Sequence, residues 1–137
     1  MPDILITDPT LRDGNHAVRH QLTKDNFAVY CRAADAAGIP IVEVGHGNGL
    51  GASSLLVGQA LVSDEDILTI SRENLKNSKL SIHVIPGFCT IKQDLNRAID
   101  LGVDVFRVGS HVTEADVTKR HIEFIRKSSR TAWGVLM

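Results

Sequence analysis

Short apolar runs and longer segments of helical period alternate along the whole chain. The apolar runs are Ile4-Leu-Ile-Thr7, Ile41-Val-Glu-Val44, Leu80-Ser-Ile-His-Val-Ile85, Val103-Asp-Val-Phe-Arg-Val108 and Trp133-Gly-Val-Leu-Met137. They are rich in β-branched residues and short enough to be strands. After the first run, Thr23 reads as an N-cap. Phe27, Cys31 and Ala34 share one face of the helix it opens, and Gly38 ends that helix. Ser63 starts a second helix with Ile67 and Ile70 turned inward. A third follows the Pro86-Gly87 break, carries Ile91, Leu95, Ala98 and Ile99, and stops at Gly102. Thr113 and Asp116 resemble a capping box for a fourth helix, with Val117, Ile122 and Ile125 inward. This alternation predicts an α/β fold with a parallel sheet and right-handed crossovers. Both an open doubly wound sheet and part of a barrel satisfy the pattern. Length favours the open sheet, because a complete (β/α)8 barrel takes about 250 residues.

Composition narrows the class. The chain has 137 residues, 43% of them apolar and 23% charged, which is the make-up of one globular domain. A net charge of −1 supplies no basic surface for nucleic acid or an anionic membrane. Cys31 and Cys89 are far apart and form no CxxC, which excludes a disulfide scaffold and a thiolate zinc site and fits a reducing cytoplasm. No apolar run approaches the roughly 18 residues of a membrane span. The start, Met1-Pro-Asp-Ile4, has no basic segment of a secretory signal.

Polar clusters matter most where they follow a strand, because parallel α/β sheets place function at the strands' C-terminal ends. After the first run comes Asp8-Pro-Thr-Leu-Arg-Asp-Gly-Asn-His16. Asp13 can ligate a hard divalent cation through oxygen. Arg12 offers a planar fork of donors to a carboxylate or an enolate oxygen. An imidazole is the side chain best suited to proton transfer near neutral pH, so His16 can serve as a general base. On spacing alone the same residues read equally as a surface loop with an Arg–Asp pair. After the second run, Gly47-Asn-Gly-Leu-Gly-Ala52 matches a dinucleotide fingerprint, but it follows the wrong strand and no acidic ribose ligand closes the next one. His46 reads either as a site residue or as a cap for local backbone. His111 stands at a strand end and is a further candidate. His83 within a strand and His121 within a helix read as structural. His16 and His20 are four apart without the Glu of HExxH. Cys31 reads as core, and Cys89 has no base beside it.

Thr10-Leu-Arg-Asp-Gly-Asn-His-Ala17 resembles the signature of 4-hydroxy-2-oxovalerate aldolases. These are metal-dependent lyases on TIM barrels, related to HMG-CoA lyase and isopropylmalate synthase. The likeness continues through Arg19-His-Gln21, Val42-Glu-Val-Gly-His-Gly-Asn-Gly-Leu50, Ser53-Ser54 and His111-Val-Thr-Glu-Ala-Asp-Val-Thr-Lys-Arg-His-Ile-Glu123. The first motif marks the wider superfamily; His46-Gly-Asn-Gly-Leu50 and Thr113-Glu-Ala-Asp116 point to the aldolase branch. The resemblance implies parallel (β/α) units of a TIM barrel, about five strands and four helices. Residues 1–137 would then be one N-terminal part of an incomplete barrel. It implies cleavage of 4-hydroxy-2-oxopentanoate to pyruvate and acetaldehyde with a divalent metal, usually Mn2+. By this resemblance Asp13 is a metal ligand. Arg12 holds the keto-acid and the enolate, His16 takes the proton from the 4-hydroxyl, and His46 joins Arg12 in binding substrate. The usual partner is an acylating acetaldehyde dehydrogenase, in the catabolism of aromatic compounds. The family completes its metal site with an H-x-H pair, which this chain lacks, and uses a later tyrosine, whereas the single tyrosine here is Tyr30. The expectation is therefore an incomplete site, weak metal binding and self-association through open sheet edges. The alternatives are a non-catalytic module that binds an aldolase or dehydrogenase, and a nucleotide-binding domain built on Gly45–Gly51.

Overall fold

The computed structural model describes residues 4–137; residues 1–3, which open the segment read as lacking a secretory signal, lie outside it. Among the described residues the order is β1 Thr7–Leu11, α1 Lys24–Ala36, β2 Ile41–Val44, α2 Asp64–Asn74, β3 Lys79–Val84, α3 Asn96–Asp100, β4 Val105–Ser110, α4 Lys119–Lys127 and β5 Thr131–Leu136. A π turn over Ile91–Leu95 runs into α3, and a 3-10 segment over Val112–Thr118, kinked at Glu114, runs into α4. The sheet is parallel throughout, with strand order β1-β2-β3-β4-β5. That order decides between the two architectures left open above. A doubly wound sheet reverses its strand order at a switch point. Here each strand joins the next in sequence, as in a (β/α) barrel that has not closed.

The capping chemistry of α1 and α2 is as the sequence predicts. The Thr23 hydroxyl accepts from the Asn26 amide at 3.2 Å, and the Asn26 side chain accepts from the Thr23 amide at 2.9 Å. Ser63 accepts from the Asp66 amide at 3.2 Å. Phe27, Cys31 and Ala34 of α1 are buried together, and Gly38 leaves the helix at a φ of +76°. Val42, Val44, Leu80, Ile82, Val84, Phe106 and Val108 form the sheet's side of the same core.

Two expectations are corrected. The first strand is not Ile4–Thr7 but Thr7–Leu11. Thr7 pairs with Ile41, the first residue of β2, so residues 4–6 have no neighbouring strand to join and Ile4 is 86% exposed. Thr113 is not a helix cap. His111 takes that place: its Nδ1 accepts from the Thr113 hydroxyl at 2.8 Å and from the Thr113 amide at 3.4 Å. A side chain that reaches its own loop in this way competes with regular helix, and the segment stays 3-10 until Lys119.

The face of the sheet away from the helices carries a different set of residues. Strand alternation and the pairings Glu43↔Ser81 and His83↔Arg107↔Trp133 put these side chains on it in rows. It is the face that a barrel would turn inward.

Candidate active site

β1 delivers its last residue, Leu11, into the core, and the chain then turns sharply through a 3-10 turn over Asp13–His16. Asn15 is the buried residue of that turn, and its side-chain amide donates to the Gly45 carbonyl at 3.0 Å. The turn is thereby tied to the loop that follows β2. This is why Arg12, Asp13 and His16 stand at the C-terminal rim of the sheet, on either side of a buried peg.

Arg12 is held at three points. Its Nε donates to Glu43 Oε1 at 2.7 Å, and its Nη1 donates to Asp13 Oδ1 at 3.0 Å and to the Gly47 carbonyl at 3.1 Å. Glu43 is 0% exposed. Its charge is met from the other side by Arg107, whose Nη1 donates to Oε2 at 2.9 Å and to Oε1 at 3.0 Å. A buried carboxylate needs such partners, because an unpaired one costs several kcal/mol. The consequence for Arg12 is orientation: one edge of the guanidinium is committed to the protein, and its plane is set before any ligand arrives.

His83 completes the charged row. It is 5% exposed and its Nδ1 has no partner among the described residues. Burial, reinforced by Arg12 and Arg107, pushes its pKa down to about 4, against the opposing pull of Glu43. The imidazole is therefore neutral at pH 7. A Cβ on Gly109 would meet its Cε1 at 2.8 Å, so the ring lies directly over the β4 backbone.

A second group of histidines lies beside the first. The His20 and His46 rings stack at 3.7 Å, and the His16 ring meets that of His20 edge-on at 5.0 Å. His20 is buried, adopts a φ of +60°, and accepts at Nδ1 from the Gly47 amide at 3.4 Å. Burial, then the neighbouring His46 and His16, lower its pKa. His46, expected to bind substrate, has both ring nitrogens on nearby backbone. Its Nδ1 accepts from the Asn48 amide at 3.0 Å and its Nε2 donates to the Gly58 carbonyl at 2.9 Å. These two bonds tie the loop after β2 to the Gly58 turn. His16, by contrast, is exposed.

Asp13 is exposed, with 65% of its side chain open. Among the described residues, however, no three His, Cys, Asp or Glu side chains converge so that they could hold a metal ion. Glu43 has both oxygens on arginines. One carboxylate is a poor fit to a divalent cation that takes six or more oxygen ligands. The dinucleotide motif fails on geometry. Gly51 faces the Phe88 carbonyl, where a Cβ would stand at 2.6 Å, and α2 begins only at Asp64. Those glycines serve the chain's own close packing.

Of the predicted residues, then, Arg12, Asp13 and His16 come together; His111 caps its own loop. Glu43, Arg107 and His83 are the residues that the linear reading missed or set aside. Their signal is present: Glu43 and Arg107 are the lone charged residues of β2 and β4, His83 shares β3 with Lys79 at its start, and all three alternate onto one face.

The fold and this rim define a (β/α)-barrel-type sheet that gathers a pinned arginine, a carboxylate and an exposed histidine at its strand ends. Solved structures show the same fold. A complete multifunctional pyruvate carboxylase from Rhizobium etli superposes with a TM-score of 0.75 at 19% identity, over 96% of this chain and 14% of that one. The carboxyl transferase domain of the Rhizobium etli enzyme superposes at 0.73 with 18% identity, over 96% of this chain and 24% of that one. No family model matches the sequence. Individual relatives do. A 4-hydroxy-2-oxovalerate aldolase of Pectobacterium atrosepticum is 71% identical over 134 residues, covering 98% of this chain and 39% of that protein. Proteins of the same name from Spirochaeta aurantia and Burkholderia pseudomallei are 61% and 55% identical, over 99% and 98% of this chain and 40% and 38% of theirs. The chain is homologous to 4-hydroxy-2-oxovalerate aldolases, which are carbon–carbon lyases, and spans between 38% and 40% of the length of these relatives.

Proposed function

We propose that this chain carries the keto-acid and proton-transfer half of a retro-aldol site acting on 4-hydroxy-2-oxopentanoate. The observation that carries the reading is Arg12, pinned by the buried Glu43, beside the exposed His16 on one rim. The His16 imidazole takes the proton of the 4-hydroxyl. The C3–C4 bond then breaks, the 4-carbon leaves as acetaldehyde, and the bonding pair stays on the three-carbon fragment as the enolate of pyruvate. Arg12 faces the oxygen on which that charge develops, where a preoriented cation is most effective. Protonation at C3 by solvent completes pyruvate, and His16 returns its proton to water. Divalent-metal dependence, with Mn2+ the ion to test first, belongs to the same proposal. Asp13 would supply one oxygen ligand, and no step is assigned to the ion.

The wider setting is proposed on the same footing: a cytoplasmic enzyme of aromatic-compound catabolism that delivers acetaldehyde to an acylating acetaldehyde dehydrogenase. Self-association is proposed because the described sheet has two open edges, at β1 and β5. The test is pyruvate release from 4-hydroxy-2-oxopentanoate by the purified chain with Mn2+, beside His16→Ala and Arg12→Ala. Turnover that His16→Ala lowers by about 100-fold or more, the usual share of a general base, supports the reading. Turnover indifferent to both substitutions overturns the assignment of residues. No turnover from a folded sample favours instead a module that binds an aldolase or dehydrogenase.

A further inference from the structure

We propose that Gly47 is a positioning residue of this site, because the space its side chain would fill is the seat of the His16 imidazole. The inference rests on the role given to His16 above. A Cβ built on Gly47 would stand well inside van der Waals contact with His16 Nε2, Cε1 and Cδ2. The ring therefore lies flat against the Gly47 backbone. Nothing else at this position demands glycine. Gly47 is not among the glycines of positive φ, unlike Gly45, Gly49 and Gly51 on either side.

The rest of the residue is committed as well. Its carbonyl accepts from Arg12 Nη1 at 3.1 Å, and its amide donates to His20 Nδ1 at 3.4 Å. One residue thus fixes the guanidinium, the imidazole and the ring against which that imidazole stands edge-on. Both hydrogen bonds use backbone atoms and survive a change of side chain. A methyl group at position 47 therefore removes one thing selectively: the place of His16 relative to Arg12. Since His16 is exposed, its ring can swing into solvent, and the fold tolerates the change.

The experiment compares the 137-residue chain with Gly47→Ala and with Gly134→Ala as a control. Gly134 lies on β5, and a Cβ there would meet Ile122 Cδ1 at an ordinary 3.9 Å. Gly47→Ala is expected to fold, to lose the NMR cross-relaxation between the His16 and His20 rings, and to lower kcat by about 100-fold, as loss of a general base does. KM is expected to stay within about twofold, because Arg12 keeps its anchor. Gly134→Ala is expected to change none of these. Persistence of the His16–His20 signal in Gly47→Ala overturns the proposal, and so does its loss with kcat unchanged. Absence of turnover in the parent chain defeats the base role of His16 separately, while the ring signal still decides the seat. If Gly47→Ala does not fold, Gly47→Ala with His16→Ala is made. Its folding supports a clash confined to His16, and its failure overturns it.

Discussion

Glu43 shows how a single buried charge shapes a site. It pairs with two arginines, and through Arg12 it sets the direction in which the rim presents positive charge. His83 stands in the same row and bears on pH. Its folded-state pKa of about 4 lies below the ordinary 6.5. A depressed value means that the folded state favours the neutral ring. The stability it contributes is whole above pH 6.5, falls as the pH drops from there towards 4, and is gone below. The gap corresponds to about 3 kcal/mol. Urea denaturation between pH 8 and 4 is expected to show that decline, and His83→Gln is expected to flatten most of it. His20, lowered in the same direction, leaves a residual slope. An equal slope in both chains would place the titration elsewhere. At this scale the sequence was only half legible. Arg12, Asp13 and His16 are contiguous, so a motif exposes them. Glu43, Arg107 and His83 come from three strands, and Glu43 and Arg107 lie 64 residues apart. Only the register between strands brings them together, and register is not written in any one segment.

Elements were legible where local chemistry decides them. Thr23 with Asn26, Ser63, the buried stripe of α1 and the limits of β2 all follow from capping and period. Thr23→Ala is expected to cost about 1 kcal/mol, the usual worth of an N-cap. Asn26→Ala is expected to recover part of the same loss, since the two side chains act as a pair. Chemical denaturation of the two single variants and the double variant checks this, and strictly additive losses would mean that the box is not reciprocal. The misread elements share a cause. Ile4-Leu-Ile6 has the composition of a strand, but strand formation requires a partner, and β2 begins opposite Thr7. Thr113-Glu-Ala-Asp116 has the spacing of a capping box, but His111 reaches the same amide first. In both places a non-local or competing contact overrode a sound local signal.

At the scale of the whole molecule, strand order is the informative fact. Five parallel strands in sequential order form a sheet whose helices cover one face, while the other carries Glu43, His83 and Arg107. Such a sheet ends in two strands with unpaired backbone groups, a geometry that recruits further strands. The flanks of both edges are apolar: Leu5 and Ile6 precede β1, and Leu136 and Met137 close β5, each more than half exposed. Water contact with these side chains and with the unpaired edge groups favours association over a monomer. Sedimentation of the purified chain is accordingly expected to give a mass above 14.9 kDa that rises with concentration. Leu5→Lys with Leu136→Lys is expected to shift it towards the monomer, because edge lysines resist strand addition. A sharp monomer from the parent chain overturns association through the sheet edges. If the chain associates but ignores the lysines, the contact lies on the face that carries the charged row, and His83 would then be buried further by the partner copy.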